Sequence, residues 1–195
     1  MTATLSPPAG SRRAAPVATT AVIAAIGCGL LAARPALVSM SSRPAAVLVC
    51  LFSLLLIVGL SMRIPPETRV TGARHHFVMT TAVGVVAFAV GRVLIGGHAP
   101  ITITLWSLAA NSLAAVAEEV WFRRVCFGVL APAGTAFAIV ASSALFAVVH
   151  VSTYGVSVLP LDVAAGALLG WQRATTGSWR APALTHVLAN VLVLL

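Results

Sequence analysis

Long apolar stretches broken by short segments of Arg, Pro and Gly run along almost the whole chain. The pattern predicts helices near Val17 to Ala33, Ala45 to Met62, Phe77 to Gly97, Thr104 to Leu130, Thr135 to Ser152, Val156 to Gln172 and Pro182 to Leu195. Most of these stretches approach the roughly 20 apolar residues that a helix needs to cross a hydrocarbon core. The expected fold class is therefore all-α: a polytopic membrane helix bundle with about seven transmembrane helices. Residues 1–16, rich in Ala, Pro and Ser, read as a poorly ordered tail, and residues 17–195 read as a single transmembrane domain. Within the sixth stretch Gly166 and Gly170 form a small-xxx-small pair suited to close helix packing.

Composition agrees with this pattern. Hydrophobic residues make up 59% of the chain and charged residues 8%, with a mean hydropathy of +1.03, whereas soluble domains carry about 25% charged residues. Arg12 and Arg13 ahead of an apolar run imitate a secretory signal. However, Ala32-Ala33-Arg34-Pro35 is a poor cleavage site and further spans follow at once, so a retained first helix is expected.

The net charge of +8 comes from 12 basic residues, all Arg. They are scattered between apolar segments instead of gathered on one face, so nucleic acid is not an expected partner. Placing the N-terminus in the cytoplasm puts Arg12, Arg13, Arg63, Arg69, Arg74, Arg173 and Arg180 inside and only Arg34 and Arg43 outside, as the positive-inside rule favours. Arg92, Arg123 and Arg124 fall within apparent spans. An absence of Lys beside abundant Ala, Arg and Gly has the character of a GC-rich bacterial coding sequence, which gives an integral protein of a bacterial plasma membrane as the expected location. Cys28, Cys50 and Cys126 lie in apolar runs at spacings that suit neither a disulfide framework nor a metal site, and read as packing residues.

Candidate chemistry comes from the few acidic groups. Of four acidic residues, Glu118 and Glu119 are adjacent in an apolar stretch, where ionisable groups must face a partner or a watery cavity. Arg123 follows Glu119 by one helical turn, so the two share a face and can pair. Glu118 points roughly 100° away, free for a different task. Counted from the turn at Ala133, Glu118 lies 15 residues back and His150 lies 17 residues on. At about 1.5 Å per residue, antiparallel helices would bring the two to one depth.

His186 and Asn190 are spaced to share a face and both carry donors of the kind that stabilise an oxyanion. If their helix starts at Pro182, His186 is shallower than His150, unless the helix begins nearer Ser178 or the site is a funnel. Asp162 reads equally as a cavity helper or as a packing residue. His75, His76 and His98 fall in expected loops.

Glu118-Glu119-xxx-Arg123, Phe146-xxx-His150 and His186-xxx-Asn190, in this order, resemble the signature of the CPBP (CAAX protease and bacteriocin-processing, or Abi) family of intramembrane endopeptidases, which includes the type II CAAX prenyl proteases. Thr176-Gly177-Ser178-Trp179-Arg180-Ala181-Pro182 is similar to that family's lead into its last motif, and the likeness covers roughly Ser112 to Leu195.

The resemblance implies a catalytic core at about 104–195 and hydrolysis of a peptide bond in a membrane-associated, possibly lipidated, protein or peptide. Glu118 would be the general base, with His150 helping to position and deprotonate a water. Glu119 with Arg123 would hold the site, and His186 with Asn190 would stabilise the oxyanion. There is no His-Glu-xx-His helix and no Gly-x-Ser-x-Gly elbow. Zinc held by two His and one Glu is conceivable, but no obligatory metal or other cofactor is expected. Two other readings stand beside the peptidase: a non-catalytic immunity or scaffold protein with the same cavity, and a proton-coupled transporter.

Overall fold

The computed structural model describes residues 17–64, 73–95 and 104–194, and all regular structure among them is helical. The expected tail 1–16, with Arg12 and Arg13, lies outside the described residues, as do Arg69 and His98. In chain order the elements are α1 (Val17–Ala32), α2 (Arg34–Ser39), α3 (Pro44–Ser61), α4 (Ala73–Ile95) and α5 (Leu105–Glu119). Helix α5 continues through a π-helical stretch, Val120–Cys126, into α6 (Phe127–Leu130). Then come α7 (Thr135–Tyr154), α8 (Leu159–Thr176) and α9 (Arg180–Leu194).

Each expected stretch has a helical counterpart, with ends shifted by a few residues. The largest shifts are at the end of α8, which runs on to Thr176, and at the start of α4, whose helix takes in His75 and His76. These histidines are helical, not looped, although His75 is exposed. Helix α2 was not expected. Pro35 has no N–H to continue the α1 ladder, and its ring clashes with the preceding turn, so the chain breaks at Ala33 and restarts with Arg34 as the first residue of α2.

Among the described residues three helices, Pro44–Ser61, Arg74–Leu94 and Thr135–Tyr154, are long and apolar enough to cross a membrane, and Ala18–Ala32 is a shorter apolar helix. The remaining stretches are less apolar because they hold the polar groups of the interior: Glu118, Glu119, Arg123 and Arg124 after α5 begins, Gln172 and Arg173 in α8, and His186 and Asn190 in α9. The exterior is the reverse. Leu54, Ile57, Val86, Val140 and Val148 are each more than half exposed, while Glu119, Arg123, Gln172 and Thr185 are sealed inside. An apolar surface around a polar interior is what a lipid solvent requires.

Packing fixes where the polar groups meet. Trp121, in the π stretch, wedges against α1 and donates Nε1–H to the Ala24 carbonyl at 3.2 Å. A Cβ on Gly27 would overlap its indole ring. Arg124 donates to the Gly59 and Met62 carbonyls at the end of α3. Gln172 donates to the Thr80 carbonyl at 2.7 Å and to the Thr185 hydroxyl at 2.9 Å, tying α4, α8 and α9 together.

Helices α7 and α8 approach closely at the expected small pair. A Cβ on Gly166 would lie 3.0 Å from the Ser143 Cα, and one on Gly170 would lie 3.2 Å from Ile139 Cγ2. Gly166→Val should therefore overpack this contact and destabilise the fold by about 1–3 kcal/mol. The check is the unfolding midpoint of purified protein in mild detergent. Gly29→Ala, where an added Cβ meets nothing within 4 Å, serves as the comparison, and equal midpoints would refute the packing argument.

Candidate active site

Helix α5 opens with a capping box, in which the Thr104 side chain accepts the Ser107 N–H and the Ser107 hydroxyl accepts the Thr104 N–H. It ends with Glu118 and Glu119 in its last turn, and adjacent helical residues point about 100° apart. The two carboxylates accordingly enter different surroundings.

Glu119 is fully buried. Its Oε2 lies 3.3 Å from Arg123 Nε, with both side chains wholly excluded from solvent, and its Oε1 lies 3.0 Å from His186 Nδ1. A carboxylate can only accept, so His186 uses its Nδ1–H here. The Arg123 guanidinium sits 5.3 Å from the centroid of the Phe146 ring. None of its nitrogens makes a conventional hydrogen bond, so the nearby carboxylate and the aromatic face are what compensate its charge. Arg173 donates Nε–H to the Arg123 carbonyl at 2.9 Å, which pins α8 to the π stretch.

Glu118 faces the other way. Its Oε2 is 3.8 Å from His150 Nε2, so the depth match expected from residue counting is realised. His150 Nδ1 lies 2.7 Å from the Phe146 carbonyl. Because a carbonyl only accepts, Nδ1 carries the proton, and in the neutral ring Nε2 is left as an acceptor directed at Glu118. The 3.8 Å separation is too long for a direct hydrogen bond and suits a bridging water donating to both groups. The other oxygen, Oε1, is 3.3 Å from Arg34 Nη1.

Glu118, His150, His186 and Asn190 all line one cavity of about 1030 Å³, otherwise walled mainly by apolar side chains from α2, α3, α4, α5, α7, α8 and α9. Asp162 lines it as well, which places that residue on the cavity side. Glu119 and Arg123 do not reach it and stand behind His186 as its support. Asn190 Nδ2 is 3.4 Å from the Asn111 carbonyl, a long contact. Helix α9 begins at Arg180, two residues before the expected start, so His186 sits deeper in its helix than the sequence implied.

Two arginines read as loop charges belong instead to the interior. Arg34 reaches Glu118, and Arg173 braces the π stretch. One signal could have exposed the first of these: pairing Arg123 with Glu119 leaves Glu118 with no cation, a deficit that some other arginine had to fill. Cys28 Sγ and Cys126 Sγ lie 3.9 Å apart as free thiols. No group of three His, Cys, Asp or Glu among the described residues is placed to hold a metal ion.

Residues 100–192 match a protein-family model described as type II CAAX prenyl endopeptidase Rce1-like. The matched segment begins just before α5, ends within α9, and contains all three motifs and the four cavity-lining groups. Through this segment, just under half of the chain, the protein is similar to the Rce1-like family. Searches of curated proteins and of solved structures return no match. This likeness supports a CAAX-type membrane protease kind, and the apolar helices agree with a membrane protein. It also sets a boundary within the site: Arg34, Phe52 and the α4 residues that wall the cavity lie outside the Rce1-like segment.

Proposed function

We propose that this protein is an intramembrane endopeptidase that hydrolyses a peptide bond in a membrane-associated, possibly lipidated CAAX-type, protein or peptide in a bacterial plasma membrane. The observation that carries the reading is the 3.8 Å gap between Glu118 Oε2 and His150 Nε2, opening on the cavity that His186 and Asn190 also line.

The chemistry follows from the atoms. A water donating to Glu118 and His150 attacks the scissile carbonyl carbon, and its proton passes to one of these two acceptors. The carbonyl oxygen becomes an oxyanion and accepts from His186 Nε2 and Asn190 Nδ2. For Nε2 to donate while Nδ1–H is held by Glu119, the His186 ring must carry both protons, and the buried Glu119 carboxylate then shares its one negative charge between this ring and Arg123. Collapse of the tetrahedral species breaks the C–N bond, and the proton taken from water is returned to the leaving amine. The apolar remainder of the cavity suits an extended or lipid-bearing substrate.

The test is cleavage of membrane-anchored peptides by purified protein in liposomes. Asn190→Ala should lower kcat by about 10²-fold, the usual effect of removing one oxyanion donor, with little change in KM. Undiminished turnover in that variant would remove Asn190 from the mechanism. If the unaltered protein cleaves none of a broad panel of prenylated and unprenylated peptides, the peptidase reading is refuted.

A further inference from the structure

We propose that Arg34, which the family's motifs do not include, is a positioning residue that holds and orients the Glu118 carboxylate. The proposal rests on the reading of Glu118 as the base.

Arg34 is the first residue of α2, placed there by the Pro35 break. Its guanidinium forks: Nη1 reaches Glu118 Oε1 at 3.3 Å, and Nη2 donates to the Thr153 hydroxyl at 2.9 Å. The group lies 5.8 Å from the centroid of the Phe52 ring on α3. Its side chain is only 12% exposed, unlike an arginine that merely marks a membrane edge.

These contacts have a geometric consequence. With Oε1 engaged by Arg34, the carboxylate is turned so that Oε2 is the oxygen facing His150. The second arm of the fork on Thr153, one turn beyond His150 in α7, fixes the guanidinium relative to the helix that carries His150. Arg34 therefore sets the position of Glu118 against its partner across two helices, a task that needs the planar, two-armed geometry of Arg over the single point charge of Lys. Arg123 cannot substitute for it, because its charge is directed to Glu119 on the other side of α5.

The test uses the full chain in lipid nanodiscs and an apolar carbodiimide, which reacts with protonated carboxyls and is slowed where a cation holds the carboxylate. Modification at Glu118 is read by mass spectrometry, with Glu118→Gln as the blank. Arg34→Gln should raise the labelling rate about tenfold, the scale of effect expected for losing one hydrogen bond to a charged group. Arg34→Lys should stay near the unaltered rate. Thr153→Val, which frees one arm while leaving residue 34 intact, should give an intermediate rate, and it serves if Arg34→Gln fails to fold. Unchanged labelling in both Arg34→Gln and Thr153→Val would overturn the proposal.

With a cleavable peptide, Arg34→Gln and Arg34→Lys should both lower kcat, by up to about 10²-fold for the Gln variant, at nearly constant KM. Changes in KM alone would make Arg34 a substrate-binding residue instead and would also overturn the proposal. Faster labelling in a protein that cleaves nothing would uphold the role of Arg34 while refuting the peptidase reading. Cleavage with unchanged labelling would do the reverse.

Discussion

Glu118→Gln is expected to abolish peptide cleavage to within about 10²–10⁴-fold of the unaltered rate, the range for loss of a general base, while the protein stays folded. An amide of the same shape keeps the volume of the side chain and can still accept from Arg34 through its carbonyl oxygen. It cannot take a proton from water. His150 Nε2 remains as an acceptor, so a residual rate carried by His150 is compatible with this chemistry, and Glu118→Gln with His150→Ala should remove it. The measurement is single-turnover cleavage of a membrane-anchored peptide under saturating enzyme. Full activity in Glu118→Gln would transfer the base to another group and dismantle the proposed mechanism.

Glu119→Ala should have the largest effect on stability. Removing this carboxylate leaves Arg123 wholly buried, with only the Phe146 face beside its charge. Breaking a buried pair at one partner costs about 3–5 kcal/mol. His186 also loses the acceptor that fixes its ring, so activity should fall even where the protein still folds. Replacing both members with apolar groups, Glu119→Leu with Arg123→Met, removes the stranded charge and should recover most of the lost stability. It should not recover cleavage, because His186 remains untethered. Unfolding midpoints in detergent, set against kcat for the single and double variants, check both parts. A double variant as unstable as Glu119→Ala would show that the loss comes from packing and not from an uncompensated charge.

Much of this site could be read from the sequence because helical geometry is regular. The rise per residue put Glu118 and His150 at one level on either side of the Ala131–Gly134 turn, and four-residue spacing paired Glu119 with Arg123. The features that escaped depend on contacts between distant parts of the chain. Arg34 and Glu118 are 84 residues apart, and nothing local separates an arginine that orients a helix in a membrane from one that turns inward. The same holds for Arg173 on the Arg123 carbonyl and for Gln172 with Thr80 and Thr185. The π stretch Val120–Cys126 carries no breaker residue, so its widened ladder left no trace in the hydropathy pattern. His186 was expected beside Asn190 on a shared face; that its Nδ1 is held by Glu119 depends on the approach of α9 to α5, which spacing within α9 cannot convey.

The contact of Arg124 with the end of α3 bears on how the protein meets a bilayer of given thickness. Helix α3 has 18 residues, about 27 Å at the standard rise, slightly less than a hydrocarbon core of about 30 Å. The last carbonyls of a helix ordinarily have to find water or headgroups, which would force lipid to thin around so short a span. Here Gly59 and Met62 present theirs to a guanidinium carried by the neighbouring helix. Two carbonyls at that end of α3 are therefore met from within the protein, which lessens the call on water or headgroups around so short a span.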